Sequence, residues 1–147
     1  MSPRLSAASA LLGGDWYDAF VTRSGTLCMA IGDVVGRGFR AAAVMAQLRS
    51  ALRAYALDER PPLELIERLN TLLRQLEPGR TATLVYLVLD PRSSEMELVA
   101  AANAPPVLVD PSGEGRLLHM PAAPPLGAVN SPGYGAIETE LVPGSRL

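Results

Sequence analysis

The sequence predicts an α+β fold built on antiparallel sheet. Strand-like runs come in pairs joined by tight turns, and two helix-like runs stand next to each other. Strands grouped with strands and helices with helices argue against a wound βαβ chain. With 147 residues, a single domain is expected.

The elements follow in order. Residues 1–10 carry no periodic pattern and are read as an irregular lead-in to a domain over 11–147. Tyr17 to Val21 reads as a short strand, and Arg23-Ser24-Gly25 as a turn. Thr26 to Ile31 completes the first hairpin, and Gly36 and Gly38 then break the pattern. From Phe39 to Leu57 the period is helical. Ala41, Val44, Met45, Leu48, Leu52 and Tyr55 share one face, with Arg49 and Arg53 placed opposite. Pro61-Pro62 ends this helix and opens the next, whose stripe is Leu65, Ile66, Leu69, Leu72, Leu73 and Leu76. Pro78-Gly79 ends it, and the short connection between the two predicts an antiparallel pair. Thr81 to Leu89 and Met96 to Ala102 form a second hairpin through Arg92-Ser93-Ser94. Val107 to Val109 and Leu117-Leu118 flank a turn at Pro111-Ser112-Gly113. The proline-rich stretch from Pro121 to Pro132 reads as irregular, and Tyr134 to Val142 as a last, weakly alternating strand.

Composition narrows the function classes. A net charge of −2 provides no basic field for nucleic acid or an anionic membrane. No apolar run reaches the roughly 18–20 residues of a membrane helix, and no signal-peptide core is present. The single cysteine, Cys28, cannot form an internal disulfide and reads as a buried, inert thiol. A cytoplasmic location is therefore the expectation.

Two aspartates flanked by glycines carry the chemistry: Asp15 in GGDWYD and Asp33 in GDVVGRG. A carboxylate leaving an apolar strand into a glycine turn is costly unless it binds something. One carboxylate with an adjacent carbonyl, here that of Val34, is a sound partial site for Mg²⁺ or Mn²⁺. The other reading of the pattern is a strand-to-helix turn in which Asp33 caps backbone amides. Asp15 and Asp18, three apart, fall on opposite faces of a strand, and Asp15 is the better partner for Asp33. Trp16 and Tyr17 read as packing residues. Arg37 could meet a phosphate bidentately or stand solvated in its turn, and Arg4 is a further candidate phosphate contact. His119, the lone histidine, reads as structural.

Gly36-Arg37-Gly38-Phe39-Arg40-Ala41 also fits a dinucleotide fingerprint, with Asp58 about 20 residues on. Its context is wrong: Asp33 would repel a pyrophosphate, and Asp58 follows a helix instead of a second strand.

Taken in order, GGDWYD, GDVVGRG with the following AAAVMAQLRSALRA, Leu69-Asn70, TATLVYLVLD, AANAPPVLV and PPLG resemble the bacterial PPM-type (protein phosphatase 2C-like) serine/threonine phosphatases. The likeness is to the sporulation stage II E and sigma-factor regulatory branch. It implies a β-sandwich of two antiparallel sheets flanked by helices. It also implies a binuclear Mn²⁺ or Mg²⁺ centre that hydrolyses phosphoserine or phosphothreonine, typically on an anti-anti-sigma factor. By resemblance Asp33 bridges the metals, the Val34 carbonyl holds the second, and Asp15 acts through water. This chain departs from the pattern at several points. Val35 stands where a small or polar residue is usual, and Arg37 where histidine is frequent. Pro105-Pro106 replaces a glycine-histidine pair after Asn103-Ala104. The family's threonine-aspartate-glycine motif would follow Leu147. The expectation is thus a C-terminally incomplete domain with impaired turnover and an exposed sheet edge that invites homodimerisation. A catalytically inactive, protein-binding regulatory module is the alternative.

Overall fold

A computed structural model describes residues 13–147. The lead-in and Arg4 lie outside the described residues. Five strands form one antiparallel sheet in the order β1 (Asp15–Val21), β2 (Leu27–Val34), β3 (Ala82–Asp90), β4 (Glu95–Ala101) and β7 (Ala136–Glu140). Strands β5 (Val107–Val109) and β6 (Gly115–Leu117) make a second, two-stranded antiparallel sheet. Helices α1 (Gly38–Leu57) and α2 (Pro62–Leu76) lie between β2 and β3 in the chain. The α+β expectation therefore holds, with two antiparallel sheets and an adjacent helix pair.

Alternation places the two cores. Cys28, Ala30 and Val34 of β2 and Leu84 and Tyr86 of β3 face the helices and meet Val44, Leu48, Leu52, Leu65, Ile66, Leu69 and Leu73. Burial of each such leucine contributes about 1.5–3 kcal/mol. The opposite face of β3 and β4 supplies Leu87, Met96 and Leu98 to a smaller core capped by Leu108 and Leu118. The same face of β1 and β2 is open to solvent, where Tyr17, Met29 and Ile31 border an apolar cavity of about 440 Å³.

Three expectations are corrected. Strand β2 runs on to Val34 instead of stopping at Ile31, so Asp33 lies in a strand and not in a turn. That strand is interior to the sheet, between β1 and β3. The reason is Gly32. A Cβ there would lie 2.7 Å from the Thr83 carbonyl oxygen and 2.9 Å from the Trp16 indole nitrogen. This glycine permits close strand packing and does not end the strand. Strand β1 likewise begins at Asp15, two residues before the expected Tyr17, by pairing with the extended end of β2. Finally, Arg49 and Arg53 do not stand away from the sheet. Their guanidinium groups reach Asp18 on the helix-facing side of β1.

Candidate metal centre

The register of β1 against β2 sets Asp15 directly opposite Asp33. Both side chains stand on the solvent-facing side of the sheet, since Trp16 and Val34 take the buried positions next to them. Side chains directly opposite on one face lie about 4.5–5.5 Å apart at Cβ, close enough for two carboxylates to interact strongly. Burial, followed by the Asp15 charge and a hydrogen bond to Asp15, pushes the Asp33 carboxyl above its ordinary range. Two opposed carboxylates of this kind are a candidate position for a cation.

The Val34 carbonyl comes up beside Gly14. The Val34 N–H donates to the Gly14 carbonyl at 3.1 Å, and a Cβ on Gly14 would collide with the Val34 carbonyl. Glycine before Asp15 thus keeps backbone oxygen and carboxylates together. The donors are all oxygen, which suits a hard divalent ion such as Mg²⁺ or Mn²⁺. Among the described residues no group of three or more His, Cys, Asp or Glu side chains is placed to hold an ion, so the set here is two carboxylates and a carbonyl.

After Val34 the backbone is held by a residue that no local pattern marks. Arg80 donates from Nη1 to the Val35 carbonyl at 2.6 Å and packs against Gly36, whose φ of +121° favours glycine. Arg80 also meets Glu77 at 3.7 Å, and Glu77 meets Arg40 at 3.1 Å. Arg37 is at the N-cap position of α1, exposed and extended, three residues past Val34.

The remaining candidates fall elsewhere. Asp18 faces away from Asp15, as alternation requires. Arg53 holds its carboxylate at 2.6 Å and Arg49 at 3.2 Å. The hydrogen bond from Arg53 outweighs burial and, with Arg49, brings the Asp18 carboxyl down to about 2. It is a structural anchor between β1 and α1. Trp16 is buried, whereas Tyr17 is exposed on the face of the acid pair. Cys28 is buried, and desolvation raises its thiol. His119 is exposed beyond β6. Asp58 closes α1 and pairs with Arg60 at 3.5 Å, and among the described residues every strand pairing is antiparallel, so the dinucleotide fingerprint has no βαβ unit there to act in.

Asn70 is a further buried polar residue of this end of the molecule. Its Oδ1 accepts from the Gly127 N–H at 2.8 Å and from the Tyr134 hydroxyl at 3.5 Å, and its Nδ2 donates to the Val129 carbonyl at 3.0 Å. These bonds fix the proline-rich loop over the start of β3, where Leu126 and Ala82 exchange backbone hydrogen bonds.

Comparison with known proteins agrees with this fold. The family model for stage II sporulation protein E (SpoIIE) matches residues 23–147. Among solved structures, the RsbU and RsbW domains of Rv1364c from Mycobacterium tuberculosis superpose with a TM-score of 0.82 at 34% identity, over 92% of this chain and 37% of that one. RsbX in complex with magnesium gives 0.74 at 23% identity, over 91% of this chain and 63% of that one. The PP2C phosphatase domain of SpoIIE from Bacillus subtilis, with a fragment of its regulatory domain, gives 0.78 at 17% identity, over 92% and 40%. The chain therefore spans less than two thirds of each of these structures.

Proposed function

The chain belongs to the stage II sporulation protein E family, and from that premise we propose that it is a metal-dependent phosphoserine/phosphothreonine phosphatase domain of bacterial signalling. The observation that carries this is the in-register pair Asp15 and Asp33 beside the Val34 carbonyl. Asp33 and the Val34 carbonyl are the proposed direct ligands, and Asp15 acts through an intervening water. A bound Mg²⁺ or Mn²⁺ supplies Lewis acidity toward a phosphoryl group. Arg37 is the proposed contact to the substrate phosphate, because a guanidinium matches two phosphate oxygens. Arg80 holds the Val35 carbonyl in the segment that links these ligands to Arg37. The substrate is a phosphorylated protein, an anti-anti-sigma factor being the proposed class. The relative named for RsbU and RsbW domains supports that choice. A cytoplasmic setting goes with this reading; among the described residues no helix is long and apolar enough to cross a membrane.

A second reading, a phosphatase-like module that binds protein without turnover, is favoured by the short ligand set among the described residues. One experiment separates them. The protein is assayed on a phosphoserine peptide with and without Mn²⁺, and binding of Mn²⁺ is followed by its electron paramagnetic resonance signal. The enzyme reading expects Mn²⁺-dependent turnover that Asp33→Asn lowers at least 100-fold, together with loss of Mn²⁺ binding. Turnover that survives Asp33→Asn rejects the assignment. Mn²⁺ binding without turnover supports the regulatory module.

A further inference from the structure

We propose that Arg80 is a positioning residue of the candidate site. Its guanidinium latches the peptide that follows Val35 and so steadies the Val34 carbonyl, the backbone oxygen of the proposed ligand set. The proposal rests on the metal-dependent reading and adds a residue that acts through the main chain.

The contacts of Arg80 differ from those of an ordinary ion pair. Among the described residues it is the one arginine whose side chain donates to a main-chain oxygen, from Nη1 to the Val35 carbonyl at 2.6 Å. A carboxylate is close by, yet Nε stands 3.7 Å from Glu77, beyond hydrogen-bond length. The short bond goes to the neutral carbonyl. Arg80 is also held in place itself. Its side chain is 20% exposed, its N–H donates to the Glu77 carbonyl at 3.0 Å, and a Cβ on Gly127 would collide with its carbonyl.

The peptide units on either side of Val35 explain what this bond does. The Val34 carbonyl and the Val35 N–H belong to one planar trans unit. The N–H donates to the Thr81 carbonyl at 3.0 Å, so the Val34 carbonyl points the other way, toward Gly14, where a Cβ would meet it. The following unit, Val35–Gly36, lies beyond the end of β2 and next to a glycine with φ of +121°. Glycine accepts either sign of φ, so this unit can turn over, and the bond to Thr81 is then the last rung of a fraying strand. Arg80 removes that freedom. Its guanidinium binds the Val35 carbonyl and fills the space above Gly36, where a Cβ would lie 2.6 Å from Nη1. Val35 is thus gripped at both its N–H and its carbonyl, and the Val34 carbonyl keeps its direction.

Two measurements test this: Mn²⁺ affinity by electron paramagnetic resonance, and exchange of the Val35 amide hydrogen by NMR. Arg80→Met removes the donor and keeps the stem. It is expected to weaken Mn²⁺ binding about tenfold and to speed Val35 exchange by a similar factor. Arg80→Lys keeps a donor and the charge, and should stay within about threefold of the wild type. The sign of the effect separates positioning from charge, because loss of a cation near the site would by itself tighten Mn²⁺ binding. Unchanged or tighter binding in Arg80→Met overturns the proposal. Gly36→Ala displaces the guanidinium and should weaken binding in the same way. The double variant should lose no more than the weaker-binding single variant, and additive losses would contradict a shared latch. If the wild type binds no Mn²⁺, the metal-dependent reading fails, and the latch on Val35 stands or falls on the exchange rate alone.

Discussion

Replacement of Asp18 by asparagine removes one negative charge while keeping the shape of the side chain. The carboxylate is almost fully enclosed, with its side chain 3% exposed, and Arg53 and Arg49 surround it. The hydrogen bond from Arg53 is the main reason its carboxyl titrates at about 2 instead of 3.8. That difference, at about 1.36 kcal/mol per pH unit, amounts to about 2 kcal/mol. The native pKa is depressed, so the stabilisation is complete above the unfolded pKa and is lost as pH falls toward the native one. The two arginines are about half exposed, 48% and 45%, and rehydrate once the charge is gone. The loss should therefore stay below the ~3–5 kcal/mol of a charge stranded in the interior. Urea unfolding at pH 7 is expected to show Asp18→Asn less stable by about 2 kcal/mol. The gap should narrow to roughly half near pH 3. A gap under about 0.5 kcal/mol at pH 7, or one that stays constant from pH 7 to pH 3, would refute the anchoring role.

Two more predictions follow from the packing. Asn70→Ala leaves the Gly127 N–H and the Val129 carbonyl without their partner and should cost about 2–4 kcal/mol, measured by urea unfolding; a loss under about 1 kcal/mol would contradict the clamp. Among the described residues β1 is an edge strand, and with Tyr17 80% exposed on its solvent face it is expected to support a weak dimer in sedimentation velocity. Tyr17→Lys should shift that dimer to monomer, and a wild type monomeric at millimolar concentration would remove the basis for edge pairing.

Much of the architecture was legible because its cause is periodic. The stripe of α2 places Leu65, Ile66, Leu69 and Leu73 in the core, as the spacing requires. Leu72 is only partly covered and Leu76 is 40% exposed, at the C-terminal part of the helix. The end of β2 was hidden by Gly32 and Gly36, which look alike in sequence. Only the tertiary neighbours tell them apart: Gly32 admits Trp16 and Thr83 into a continuing ladder, and Gly36 turns the chain with positive φ. The role of Arg49 and Arg53 was hidden because charge on a helix normally reads as a solvated face. A partner on a neighbouring strand breaks that rule, and the buried position of Asp18, three residues from Asp15, was the one available hint. Arg80 and Asn70 act on backbone groups 45 and 57 residues away in sequence, so no local pattern could reveal what they bond, although the Leu69-Asn70 pair was visible as part of the resemblance.

The acid pair sits where strands support it from both sides. Asp33 pairs with Asp15 on one flank and Thr83 on the other, so its backbone position is set twice. A carboxylate in a free turn could relax away from a like-charged neighbour. One held in an interior strand keeps its backbone opposite that neighbour, so any relief must come from its side chain, from solvent or from a bound cation. The supports are continuous: Asn70 holds Gly127, Leu126 pairs with Ala82, and Arg80, two residues before Ala82, holds Val35. Asp18 anchors β1 to α1 from the opposite face of the sheet. The sequence therefore assigns its polar residues two tasks. The buried ones lock neighbouring segments together, and the exposed pair, in the proposed reading, is what a cation would complete.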